Sequence, residues 1–179
     1  MLSALVLGGA SCVWDDAAAA LDLFSPGIVV AVNDIGTRWA GRLDYWCSLH
    51  PDKMQAWRKG RMERGLKPAG CHIGHEMHPG IDKVTDYRWP GMNASGSSGL
   101  FAVKVALDHG ADRVVLAGVP MKPEQAHFFA GATWSDCQSF IDGWRDALPF
   151  IKDKVRSLSG WTKQFLGEPS PGWLAESQI

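Results

Sequence analysis

The sequence predicts an α/β domain with a mostly parallel sheet and helices on both of its faces. Two observations carry this. Short apolar runs alternate with helix-patterned stretches along most of the chain, the order that strands joined by crossover helices require. The first run, Ala4-Leu5-Val6-Leu7, is continuously apolar and closes on Gly8-Gly9, as a strand buried on both faces does. The layout is Rossmann-like.

Taken in order, the opening run is the first strand. Trp14 to Phe24 is an alanine-rich helix with Asp15 and Asp16 in its first turn, where the helix dipole favours anions, and Pro26-Gly27 ends it. Ile28 to Val32 is the second strand, closed by Asn33-Asp34, and residues 37–42 are expected to form a short helix or turn. Tyr45 to Leu49 is the third strand, and residues 52–64 form a polar helix stopped by Gly65. A short strand near 71–74 precedes a loop. Ser95 to His109 places Leu100, Val103, Ala106 and Leu107 at helical spacing, with Gly110 as the stop. Arg113 to Gly118 is the most strand-like segment. Ser139 to Lys152 is helical, with Pro149 expected to break or kink it. Val155 to Leu158 is a last strand and Trp161 to Leu166 a terminal helical turn. One nucleotide-binding domain over residues 1–166 is expected, followed by a loosely held Pro/Gly/Ser-rich tail at 167–179.

Composition narrows the functional classes. The 179 residues suffice for one domain with a real core, and 46% hydrophobic with 21% charged residues is ordinary for a globular protein. A formal net charge of -1 gives no global field to draw in nucleic acid, so none is indicated as a partner. Six basic residues (Lys53, Arg58, Lys59, Arg61, Arg64, Lys67) form a local run, read as a solvated helix face or as phosphate contacts. No apolar run approaches the roughly 20 residues of a membrane helix, and the start reads as a strand rather than a signal peptide. Four scattered cysteines favour a reducing, cytoplasmic setting. Nine tryptophans leave room for a buried interface, so a homo-oligomer stays open.

In an open parallel sheet, ligands bind beyond the carboxyl ends of the strands. After the first strand, Gly8-Gly9-Ala10-Ser11 lets backbone N–H groups approach a phosphate, with Ser11 as a further donor; a tight turn is the alternative. After the second, Asn33 and Asp34 suit a ribose or base edge, or an Asx turn. The strongest signal is Ser95-Gly96-Ser97-Ser98-Gly99 at a helix start, where small side chains, free N–H groups and the positive dipole end favour an anion.

In that order, and followed by Val114-Val115-Leu116-Ala117-Gly118-Val119-Pro120, these motifs resemble the family 42 sialyltransferases. They are also similar to a superfamily that includes archaeal pterin pyrophosphokinases and bacterial motility-associated glycosyltransferases. The resemblance implies a nucleotide or nucleotide-sugar ligand, of CMP type in the sialyltransferases. By motif match its contacts would be Gly8, Gly9, Ser11, Asn33, Ser95 and Gly96, and the strand-end and helix-start readings add Asp34 and Ser97. It further implies His127, between the Gly118 strand and the next helix, as general base, a role suited to a group that titrates near neutrality. Gln125, Phe128 and Phe129 would then belong to a loop closing the cleft.

Two other constellations stand beside this one. Cys71-His72-Ile73-Gly74-His75-Glu76-Met77-His78 holds zinc-type ligands without a zinc-site spacing, so a metal is not expected. Cys12 sits at a helix start, where a thiol pKa can fall. Three functions therefore compete: a glycosyltransferase-like group-transfer enzyme, a non-catalytic nucleotide-binding or sensing module, and a metal-dependent phosphohydrolase or pyrophosphokinase using residues 71–78 with Asp15-Asp16.

Overall fold

The computed structural model of the chain describes residues 1–122, 126–128 and 137–175. Among these, seven strands form one sheet: β1 Ser3–Leu7, β2 Ile28–Val32, β3 Tyr45–Ser48, β4 Cys71–Gly74, β5 Lys83–Val84, β6 Arg113–Ala117 and β7 Val155–Ser157. Their order is β5-β4-β3-β2-β1-β6-β7, and every pairing is parallel. The helices are α1 Val13–Leu23, α2 Met54–Glu63, α3 Ser97–Asp108, α4 Gln138–Ile151, α5 Gly160–Leu166 and α6 Pro171–Ala175.

Successive side chains on a strand point to opposite faces, and β1 shows the result. Ala4 and Val6 pack into the core beneath α3 and α4, whereas Leu5 and Leu7 pack beneath α1, α2 and α6. Both faces are covered, which is why β1, β2 and β6 are apolar at nearly every position. α3 lies over the sheet centre and is buried almost all round, from Ser98 to Val103 and again at Val105 and Ala106.

Several expectations change here. Residues 37–42 do not make the turn; a 3-10 turn forms earlier, at Asn33–Thr37. Pro149 lies inside α4 without ending it; the helix runs on to Ile151. The tail is not loosely held as far as residue 175. α6 docks Trp173 against the sheet, 8% exposed, and the Arg113 and Arg156 guanidiniums each lie 5.1 Å from its ring centroid. The physical reason is a single large apolar ring in an otherwise polar stretch. β5 is an added edge strand.

The strand order places the site. Chain direction along the sheet reverses between β1 and β6, and a crevice opens at such a switch point beyond the carboxyl ends of the strands.

Candidate functional site

An open cleft lies at that switch point. Gly8 and Gly9 line it after β1, Val32 and Asn33 at the end of β2, and Gly118 to Lys122 after β6. The start of α3 (Ser97, Ser98, Gly99), His127, Cys137 and Phe140 complete the wall. Lys122 is the one cation among these lining residues.

The glycine turn is built for close approach. Gly8 N–H donates to Ala117 O at 2.8 Å, and a Cβ on Gly8 would fall 2.3 Å from Gly118 O. A Cβ on Gly9 would fall 2.9 Å from His127 Nε2, so the missing side chain makes room for the imidazole. The backbone then fixes His127 in place. Ser11 N–H donates to Ala126 O at 2.9 Å, Phe128 N–H donates to Gly9 O at 3.0 Å, and Ala10 bridges His127 in antiparallel sense.

Three non-glycine residues among those described take left-handed backbone: Asn33 (φ 54°), Ser97 (φ 78°) and Met121 (φ 46°). All three line the cleft. Such conformations cost about 1–3 kcal/mol each and collect at functional sites. Asn33 Oδ1 accepts from Ser48 Oγ at 2.7 Å, and Trp46 Nε1–H donates to Asn33 O. Held this way, Asn33 keeps its side-chain amide donors without a protein acceptor among the described residues. Ser97 Oγ is buried and likewise lacks a partner. Beside it, the first N–H groups of α3 have no intrahelical acceptor.

The other expected site residues sit differently. Asp34 is not in the cleft wall; its Oδ1 stands 3.3 Å from His127 Nε2. Burial pushes the Asp34 carboxyl above the ordinary aspartate range, against the opposing pull of His127. Ser11 is exposed and outside the wall, its N–H spent on Ala126. Ser95 and Gly96 are also outside it. Gly96 serves packing: a Cβ on Gly143 of α4 would fall 2.2 Å from Gly96 N. Gln125 and Phe129 lie outside the described residues. Met121, Lys122 and Phe140 were not anticipated; the rule that ligands sit past strand ends reaches the first two once the turn after β6 is followed as far as residue 122.

The histidine-rich segment disperses. His72 Nδ1 lies 2.6 Å from Asp82 Oδ2, His75 packs edge-on to Tyr87, and His78 Nε2 lies 3.1 Å from Glu76 Oε1. Asp16 Oδ2 accepts from Gly118 N–H at 2.8 Å and from Ser159 Oγ at 2.7 Å, tying α1 to the end of β6. Among the described residues no three His, Cys, Asp or Glu side chains converge as a metal site would need. Burial raises the Cys12 thiol above its usual value, the opposite of the lowering a helix start can bring.

No protein-family model and no curated protein sequence matches the chain. The fold does match solved structures. One is the sialyltransferase Cst-II in complex with CMP, with a TM-score of 0.61 and 12% identity over 100% of this chain and 90% of that one. Another is a mammalian sialyltransferase, with a TM-score of 0.50 and 13% identity over 89% of this chain and 69% of that one. At these identities the likeness is one of fold: a distant sialyltransferase-like α/β domain. Neither is a pyrophosphokinase, so that side of the resemblance gains no support.

Proposed function

We propose that this chain is a nucleotide-dependent group-transfer protein of glycosyltransferase type, binding a CMP-type nucleotide or nucleotide-sugar in the β1/β6 cleft. The observation that carries the reading is Ser97. A buried hydroxyl with no partner among the described residues, beside the free N–H groups of a twelve-residue helix, is a donor set suited to an anion. Lys122 adds charge for a phosphate, and the Gly8-Gly9 turn lets backbone come close to it. The Asn33 amide suits a ribose or base edge. The CMP complex of Cst-II, with the same fold, supports the choice of nucleotide.

His127 is the general base of this reading. Its ring would take the proton of an acceptor hydroxyl as that oxygen bonds to the anomeric carbon. The bond from that carbon to the nucleotide phosphate breaks, and the nucleotide leaves with the electron pair. The four cysteines are unpaired, which fits a reducing, cytoplasmic setting, and no helix among the described residues is long and apolar enough to cross a membrane.

The test has two arms. CMP at a hundred times its Kd should stabilise the fold by about 2.7 kcal/mol, with no need of divalent metal. Slow hydrolysis of a CMP-sugar should vanish in His127→Ala while CMP affinity survives. Absence of any nucleotide response sinks the reading; binding without turnover of any nucleotide-sugar favours the sensing module instead.

A further inference from the structure

Trp14, in the first turn of α1, is the one tryptophan among the described residues left exposed, at 43%. Its plane lies within 12° of that of Trp39, with ring centroids 6.5 Å apart, so the two indoles form an offset parallel pair. Phe128 meets Trp14 edge-on at 6.3 Å, and His127 lies 4.5 Å from Phe128. A row of four rings thus runs from the cleft wall at His127 to the α1 side of the molecule. α1, the loop after β2 and the 126–128 segment each supply part of it.

We infer that the Trp14–Trp39 pair is a carbohydrate platform, which takes a pyranose ring of the acceptor and leads it toward His127. This rests on the group-transfer reading above and names its acceptor class. The apolar face of a pyranose presents C–H bonds of slight positive charge, which lie well against the negative face of an indole. Size decides against a protein partner. A tryptophan offers at most about 250 Å², so the exposed part of Trp14 is roughly 100 Å². Exposed Asp15 and Arg38 flank the two rings along the chain. A stable protein interface needs about 800 Å² per partner, whereas one or two sugar rings need only the pair. Continuity with the cleft through Phe128 and His127 supplies the direction.

The test uses the full chain labelled with ¹⁵N, in which nine tryptophans give nine indole N–H signals. Those of Trp14 and Trp39 are assigned with Trp14→Phe and Trp39→Phe. Lactose, cellobiose and chitobiose are titrated with and without CMP. At least one saccharide should move the Trp14 and Trp39 signals ahead of the other seven. The double variant Trp14→Ala, Trp39→Phe should weaken that saccharide at least tenfold and leave the CMP melting shift unchanged. If CMP binds but no saccharide moves the two signals, or if the double variant binds sugar equally, the platform is overturned and the nucleotide cleft stands. If a saccharide moves them but CMP gives no melting shift, the platform stands and the nucleotide reading falls. If the two signals move with protein concentration alone, the pair is a contact between copies, which also overturns it.

Discussion

His127 Nε2 approaches Asp34 Oδ1 to 3.3 Å, within ion-pair range. The carboxyl is half-buried and its pKa is raised, chiefly by loss of water. A carboxyl that gives up its proton less readily than a free aspartate therefore stands beside the imidazole.

That pairing has a pH signature. With its folded pKa above the unfolded value of about 3.9, Asp34 favours the fold only while protonated. The contribution is whole below pH ~3.9 and is lost as pH rises through the folded titration. Asp34→Asn removes this loss. The variant should melt higher than the parent at pH 7, with the difference closing toward pH 3. Equal melting points at both ends of that range would mean that the carboxyl is solvated in solution.

Ser97→Ala separates binding from stability. The hydroxyl has no partner to lose among the described residues, so its removal should leave the melting point unchanged or slightly raised. CMP affinity should fall about tenfold, equivalent to ~1.4 kcal/mol. A fall in melting point with affinity intact would make Ser97 structural.

Arg61 is the buried organiser of the loop after β2. Only 1% exposed, it donates from Nη1 to Gly36 O at 2.6 Å and to Trp39 O at 2.7 Å, from Nε to Lys67 O, and from Nη2 to Gly41 O at 3.4 Å. Arg61→Met keeps the stem but strands these carbonyls. Since hydrogen bonds to a charged group contribute about 1.5–3 kcal/mol, a loss of about 3 kcal/mol is expected, or roughly 6–12 °C in Tm. Calorimetry measures it directly.

Trp173→Ala tests whether the tail belongs to the fold. It empties a site sealed by two guanidiniums, and Arg113 Nε–H also donates to Trp173 O at 3.2 Å. A loss of about 3 kcal/mol should appear in the urea midpoint. A change under 0.5 kcal/mol would return the tail to a loosely held segment.

The strands that bury both faces were legible because burial leaves an uninterrupted apolar run; Ile28–Val32 has the bounds the sequence predicts. β5 was not, because Lys83 and Val84 are both exposed and carry no hydrophobic pattern. At the site, Gly8, Gly9 and Asn33 could be located from strand ends, and Ser97 from the small residues at a helix start. Ser95, Gly96 and Ser11 look identical in sequence but serve packing, stand off the wall, or spend their N–H groups elsewhere. Small residues mark close approach without saying of what. The Trp14–Trp39 pair was hidden for another reason: α1 and the loop after β2 meet only through the tertiary fold.

The parallel register of β1 with β6, from Ser3↔Arg113 to Leu7↔Ala117, also governs how the chain comes to fold. β1 precedes the other six strands in the chain, yet its second neighbour arrives more than a hundred residues later. Until then a bare hydrogen-bonding edge, apolar from Ala4 to Leu7, waits for a partner, the situation in which nascent chains aggregate or recruit chaperones. The cleft closes over Gly8 and Gly9 only when that late strand docks. A ligand able to fill it would bridge the early and the late strand, and so favour the docked sheet over the open edge.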